Sequence, residues 1–148
     1  MTSSPLSGLP RSDDRWLHVY TLGVAAKKSS HLFTAVVVDL VLVAIFTVVG
    51  YWTHARDLDV DGIIGTAWPF LLGLLVAWLL NAVWVAPLAP LRTGVGIWAT
   101  TVLVGLVVRA LIGEGTAGPF VVVAASLNLV TLVGWRLIAT AVAGRSGR

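Results

Sequence analysis

The sequence predicts an all-α fold: a polytopic membrane protein built as a four-transmembrane-helix bundle. Three observations carry that expectation. Apolar residues run in blocks of about 20, the length at which a helix crosses the hydrocarbon core of a bilayer. Hydrophobic residues make up 57% of the 148-residue chain and charged residues only 11%, against about 25% charged in an ordinary soluble domain. The hexapeptide Gly-Thr-Ala-x-Pro-Phe occurs at residues 65–70 and again at 115–120, each copy opening a long apolar run. The repeat suggests two parallel helical hairpins related by an approximate two-fold axis along the membrane normal. The competing reading is convergence on one helix-start solution, because the first and third spans share little beyond apolarity.

Taken in order, residues 1–30 are polar and read as a mostly irregular cytoplasmic N-terminal segment. Within it, Arg15-Trp16-Leu17-His18-Val19-Tyr20 has the pattern of a short interfacial helix. A transmembrane domain is expected over 31–143 and a cytoplasmic tail over 144–148. The first span is expected over 32–52. It begins too late and runs too long for a typical cleaved signal peptide, and so should act as an uncleaved anchor. The other three are expected over 66–84, 95–112 and 119–142. Thr66 and Thr116 suit the N-cap position, and Pro69 and Pro119 the first helical turn, where a missing N–H is tolerated.

Charge sets the expected orientation. Arg11, Arg15, Lys27 and Lys28 precede the first span, Arg92 lies between the second and third, and Arg145 and Arg148 follow the fourth. The opposite side holds Arg56 among Asp57, Asp59 and Asp61, together with Glu114. The positive-inside rule then puts both termini in the cytoplasm. Trp52 and Trp68 fall at the outer boundary, Trp84 and Trp98 at the inner one. The net charge of +3 is explained by basic residues flanking spans, and nucleic acid is not an expected partner.

Three charges fall inside the spans: Asp39, Arg109 and Arg136. Intramembrane charge needs a partner, water or a short route to the interface. Arg109 is close enough to the outer end of its span to snorkel. Asp39 and Arg136 lie at similar depths, roughly 10 Å in from the cytoplasmic side, and can pair if the first and last helices are neighbours. That pair reads first as a structural clamp and second as a gate or proton-coupled site. Gly73, Ala77 and Asn81 recur every four residues on the second span, and Thr101, Gly105 and Arg109 on the third. Such stripes bring helix backbones close together. Asn128 and Trp135 share a face of the fourth span. Asp39, Arg136, Asn81 and Asn128 therefore form the candidate intramembrane polar site, with His54 and Arg109 as candidate outer-mouth residues.

Other chemistry finds little support. The chain has no cysteine, which removes disulfides and thiolate chemistry. Asp57-x-Asp59-x-Asp61-Gly62 matches the opening half of a calcium loop, but Trp68 stands where the closing glutamate belongs. A solvated acidic loop is the expected reading, with no metal and no cofactor. No nucleophile–base pair, HExxH motif or Walker loop occurs, and no catalytic residue is assigned.

Several of these residues together resemble an uncharacterised prokaryotic integral membrane family, domain of unknown function 3054. The resemblance runs from about residue 36 to 138. It rests on Asp39, the turn Gly50-Tyr51-Trp52-Thr53-His54-Ala55, Pro69-Phe70, Trp98, Gly105, Arg109, Phe120 and Gly134-Trp135-Arg136. Tyr51 stands where the family turn carries arginine and Thr53 where it carries serine, so a role needing that arginine does not transfer. The resemblance implies a prokaryotic inner-membrane protein with no established activity. The leading expectation is a non-enzymatic scaffold or accessory subunit, surrounded by lipid and working alone, as a homo-oligomer or with a membrane-protein partner. The alternative is an oligomeric small-solute or proton transporter or channel using Asp39 and Arg136; a lipid-modifying enzyme is a weaker third. A dry Asp39–Arg136 contact favours the scaffold, and a water-filled one transport.

Overall fold

The computed structural model describes residues 12–55 and 59–146. Its elements are four helices: α1 (Ser12–Ala55), α2 (Val60–Leu80), α3 (Val95–Leu111) and α4 (Gly118–Ser146). A π-helical turn, Pro90–Gly94, leads directly into α3. No strand occurs among the described residues. Each helix contains a stretch long and apolar enough to cross a membrane: Ser30–Thr53, Val60–Leu80, Pro90–Leu111 and Gly118–Arg145. The fold is therefore the expected all-helical one, with four candidate spans.

The helices close into a ring in chain order. α1 packs on α2, α2 on α3, α3 on α4, and α4 returns to α1, while the backbones of the diagonal pairs stay apart. The α2–α3 pairing is the most extensive, and glycine is the reason. A Cβ at Gly73 would come within 2.6 Å of the Thr101 carbonyl oxygen, and one at Gly105 within 2.6 Å of the Phe70 ring. Gly96 leaves room for the Asn81 side chain in the same way. Removing side chains at these points lets the two backbones approach, as is usual between helices in lipid. Phe70 is fully buried. It meets Phe46 of α1 edge-on at 5.1 Å and Phe120 of α4 at 6.2 Å, so one ring ties three helices together. Outside this core, residues such as Val41, Ile45, Leu75, Leu103, Val130 and Ile138 stay exposed, a surface suited to lipid tails.

Several boundaries differ from expectation. Much of the segment expected to be irregular is helical, because α1 begins at Ser12. Ser12-Asp13-Asp14 is a favourable helix head, and no proline follows until Pro69. α2 starts six residues before Thr66. Asp59, with φ −90° and ψ 128°, is its N-cap and accepts a hydrogen bond from the Gly62 amide at 3.0 Å. The first hexapeptide therefore lies inside a helix: Thr66 is not a cap, and Pro69 is an interior proline. In the second copy Pro119 does fall in the first turn of α4, but the helix begins at Gly118 after Ala117, so Thr116 is not its N-cap either.

α2 also ends earlier, at Leu80, and Trp84 lies in the following turn. Ala82 adopts φ 45°, which stops the helix, and Pro87 and Pro90 disfavour helical geometry at the residues before them. Residues 81–89 contain no charged side chain. The turn folds against the bundle instead of spreading into water. Val83 N–H bonds the Trp78 carbonyl at 3.2 Å and Val85 N–H that of Ala82 at 2.8 Å. The Thr93 hydroxyl donates to the Ala86 carbonyl at 2.7 Å. Irregular backbone at membrane depth is tolerated where protein groups satisfy it in this way.

A buried ion pair and a second arginine

Asp39 lies on the inward stripe of α1, with Ala35, Val43, Phe46 and Thr47. Arg136 lies on that of α4, at four-residue intervals after Ala124, Asn128 and Leu132. Both candidate spans continue about 14 Å past this level, nine residues at 1.5 Å each. The ring brings α1 and α4 together, and the two charged groups meet with no exposed side-chain surface on either.

The contact is two-pronged. Arg136 Nη1 donates to Asp39 Oδ1 at 2.8 Å and Nη2 to Oδ2 at 2.7 Å. Two indoles complete the carboxylate: Trp135 Nε1 donates to Oδ1 at 2.9 Å and Trp78 Nε1 to Oδ2 at 3.2 Å. A carboxylate offers about four acceptor sites, and all are taken. Arg136 further donates from Nη1 to the Leu132 carbonyl at 2.8 Å and from Nε to the Pro87 carbonyl at 3.0 Å. Its guanidinium carbon stands 4.6 Å from the centre of the Trp135 ring. A Cβ at Gly94 would approach Arg136 Cδ to 3.1 Å, so that glycine makes room for the arginine stem. One cluster thus joins α1, α2, α4 and the α2–α3 turn.

The other polar residues of the expected site stand apart from this cluster. Asn81 caps the C-terminus of α2, donating to the Ala77 carbonyl at 2.9 Å and to the Thr100 hydroxyl at 3.4 Å. Asn128 is fully buried and donates to the Ala124 carbonyl at 2.8 Å, while its Oδ1 has no partner. Neither residue bonds to Asp39 or Arg136. Trp78 and the Pro87 carbonyl were not expected members. A buried carboxylate signals that donors are needed, but nothing in the spacing singles out one indole or one backbone oxygen.

Arg109 sits at the opposite end of the bundle and does not snorkel freely outward: it is 7% exposed. Its Nη2 donates to Glu114 Oε2 at 3.1 Å and to the Gly115 carbonyl at 3.4 Å. Its guanidinium carbon lies 4.6 Å from the centre of the Phe120 ring. The side chain of His54 lies outside the described residues, as does Asp57. Of the remaining acidic loop, Asp59 serves as a helix cap. Among the described residues no cluster of three metal-ligating side chains occurs.

Four apolar helices, closed by a buried carboxylate–guanidinium pair, define the class: a multi-pass helical membrane protein. Within that class the chain belongs to the family described as "Protein of unknown function (DUF3054)", whose model matches residues 36–139. The match begins just before Asp39 and ends just after Arg136, so it contains both halves of the ion pair. No curated protein and no solved structure matches the chain.

Proposed function

We propose that the protein is a non-enzymatic scaffold or accessory subunit of a prokaryotic inner membrane, with both termini cytoplasmic. Its partners are lipid and either further copies of itself or another membrane protein. The observation that supports this reading is the saturation of the ion pair. Every acceptor site of Asp39 is occupied, both side chains are fully buried, and Arg136 also holds the α2–α3 turn. A group that carries protons or solute has to exchange partners with water or substrate during its cycle. This carboxylate is arranged to keep its partners, and its arrangement suits a clamp between the first and last helices.

The test is flux through liposomes containing the full chain. The scaffold reading expects no proton leak above that of protein-free vesicles across an imposed pH gradient, and no change on Asp39→Asn. A leak that Asp39→Asn abolishes would establish the alternative, a small-solute or proton transporter or channel using Asp39 and Arg136.

A further inference from the structure

Arg109 has five N–H donors, as any arginine does, and the two on Nη2 account for its hydrogen bonds. Nε and Nη1 are buried with no partner. One hydrogen on Nε and two on Nη1 are therefore unused in a side chain more than nine-tenths buried. The Phe120 ring covers a face of the guanidinium, and the N–H bonds lie in its plane, so the ring does not replace the missing acceptors. Leaving charged donors unmet in a site shielded from water is costly.

Arg109 is one of the residues lining a cavity of about 430 Å³, with Gly50, Tyr51, Thr66, Gly115, Ala117 and Phe120. That volume lies in the range of small-molecule sites, about 300–1,000 Å³. Tyr51 and Thr66 are the hydroxyl-bearing residues of the lining. The cavity also touches the start of α4, where the amides of Gly118 and Phe120 precede the first helical acceptor–donor pair and Pro119 has no N–H. The N-terminus of α4 adds positive potential beside this space. Glu114 opposes this potential from the rim through one 3.1 Å contact, its own side chain 45% exposed. The cavity's lining residues on α1, α3 and α4 lie within three residues of the ends of those apolar stretches, and Thr66 lies six residues inside that of α2, an end of the bundle at which a lipid headgroup would approach.

We propose that this cavity binds a phosphate-type oxyanion on Arg109, the chemistry shared by a phospholipid headgroup and a free phosphate ester. The oxyanion accepts from the Arg109 guanidinium, whose donors are not all met by protein groups, and the apolar part of its carrier lies against Phe120. The site is separate from the Asp39–Arg136 cluster, so it stands or falls independently of the scaffold reading.

The experiment is thermal unfolding of the full chain in delipidated nonionic detergent, followed by tryptophan fluorescence at constant ionic strength. The two probes are dihexanoyl phosphatidylglycerol below its micellar concentration and glycerol 1-phosphate. A ligand that binds only the folded state raises Tm with its concentration, and the expected result is a rise of several degrees with at least one probe. A response to both assigns recognition to the phosphate itself. A response to the lipid alone assigns it to a headgroup with its chains, and a response to the ester alone to a soluble anion. Arg109→Gln should abolish the rise. Gly50→Leu is the second variant, because a Cβ at Gly50 meets nothing within 4 Å and leucine favours the helix over glycine. It fills the cavity with Arg109 intact, so it keeps the test valid even if Arg109→Gln fails to fold. No rise with either probe, or an equal rise in Gly50→Leu, overturns the proposal.

Discussion

A carboxylate among apolar helices destabilises a fold unless each oxygen is met. At Asp39 four donors from three side chains do so, two from Arg136 and one each from Trp78 and Trp135. Removing one partner of such a pair leaves the other buried and uncompensated, which typically costs about 3–5 kcal/mol. Asp39→Ala should lower unfolding stability in detergent by that amount, and adding Arg136→Ala should recover part of the loss. Strict additivity of the two changes would mean that the residues are not coupled. Both charges were legible in the sequence because a charge inside an apolar block has few explanations. Trp78 was not, since a membrane tryptophan ordinarily marks the lipid–water boundary. The Pro87 carbonyl was not either, because a backbone acceptor carries no residue signature. Arg109 was found, but its burial was not: whether an arginine near a span end points out or folds back depends on the neighbouring helix and ring.

At the scale of elements, the spans were legible from apolar length and their ends were not. The Gly-Thr-Ala-x-Pro-Phe repeat illustrates why. The same six residues begin α4 but lie within α2, because Asp59, Asp61 and the apolar residues after Gly62 supply an earlier start to the second helix. The sequence pattern suggests a cap at Thr66, and Asp59 upstream carries the hydrogen bond instead. Asp59→Ala should therefore reduce stability by about 1 kcal/mol, the usual worth of a side-chain N-cap. Thr116→Ala should change it by far less. The glycine stripes give a second contrast. Gly73→Ala forces a methyl against the Thr101 backbone and should cost about 1–3 kcal/mol, as overpacking does. Gly134→Ala meets nothing within 4 Å and should be neutral or stabilising. Equal effects at both positions would show that the α2–α3 contact is not close-packed.

At the scale of the whole molecule, the four helices form a ring whose outward surface is apolar and whose last joint, α4 on α1, is made by the ion pair. The sequence carried the number of helices but not their neighbour relations; the Asp39–Arg136 pairing, expected only if the first and last helices adjoin, is met because the ring places α4 against α1. Orientation rests on the basic residues. Cysteines introduced singly at Ser29 and Ser146 should be shielded from an impermeant maleimide in intact cells, while one at Asp59 reacts. Reaction at Ser146 but not Ser29 would rule out an even number of crossings.

The separation of the two charges along the chain, 97 residues, has a consequence for biogenesis. Asp39 leaves the ribosome with the first helix, and its counter-ion arrives only with the last. An aspartate at the centre of an inserting helix is disfavoured by about 2.5–3.5 kcal/mol on the translocon scale. During synthesis the first helix must therefore sit shifted toward the aqueous interface, or be held by the insertion machinery, until α4 emerges. A chain truncated after Ala117 should be cleared rapidly by membrane proteases, and Asp39→Leu in the same truncation should lengthen its half-life in a pulse-chase experiment. α4 would then act as a check on the nascent chain, securing the first helix when the arginine arrives.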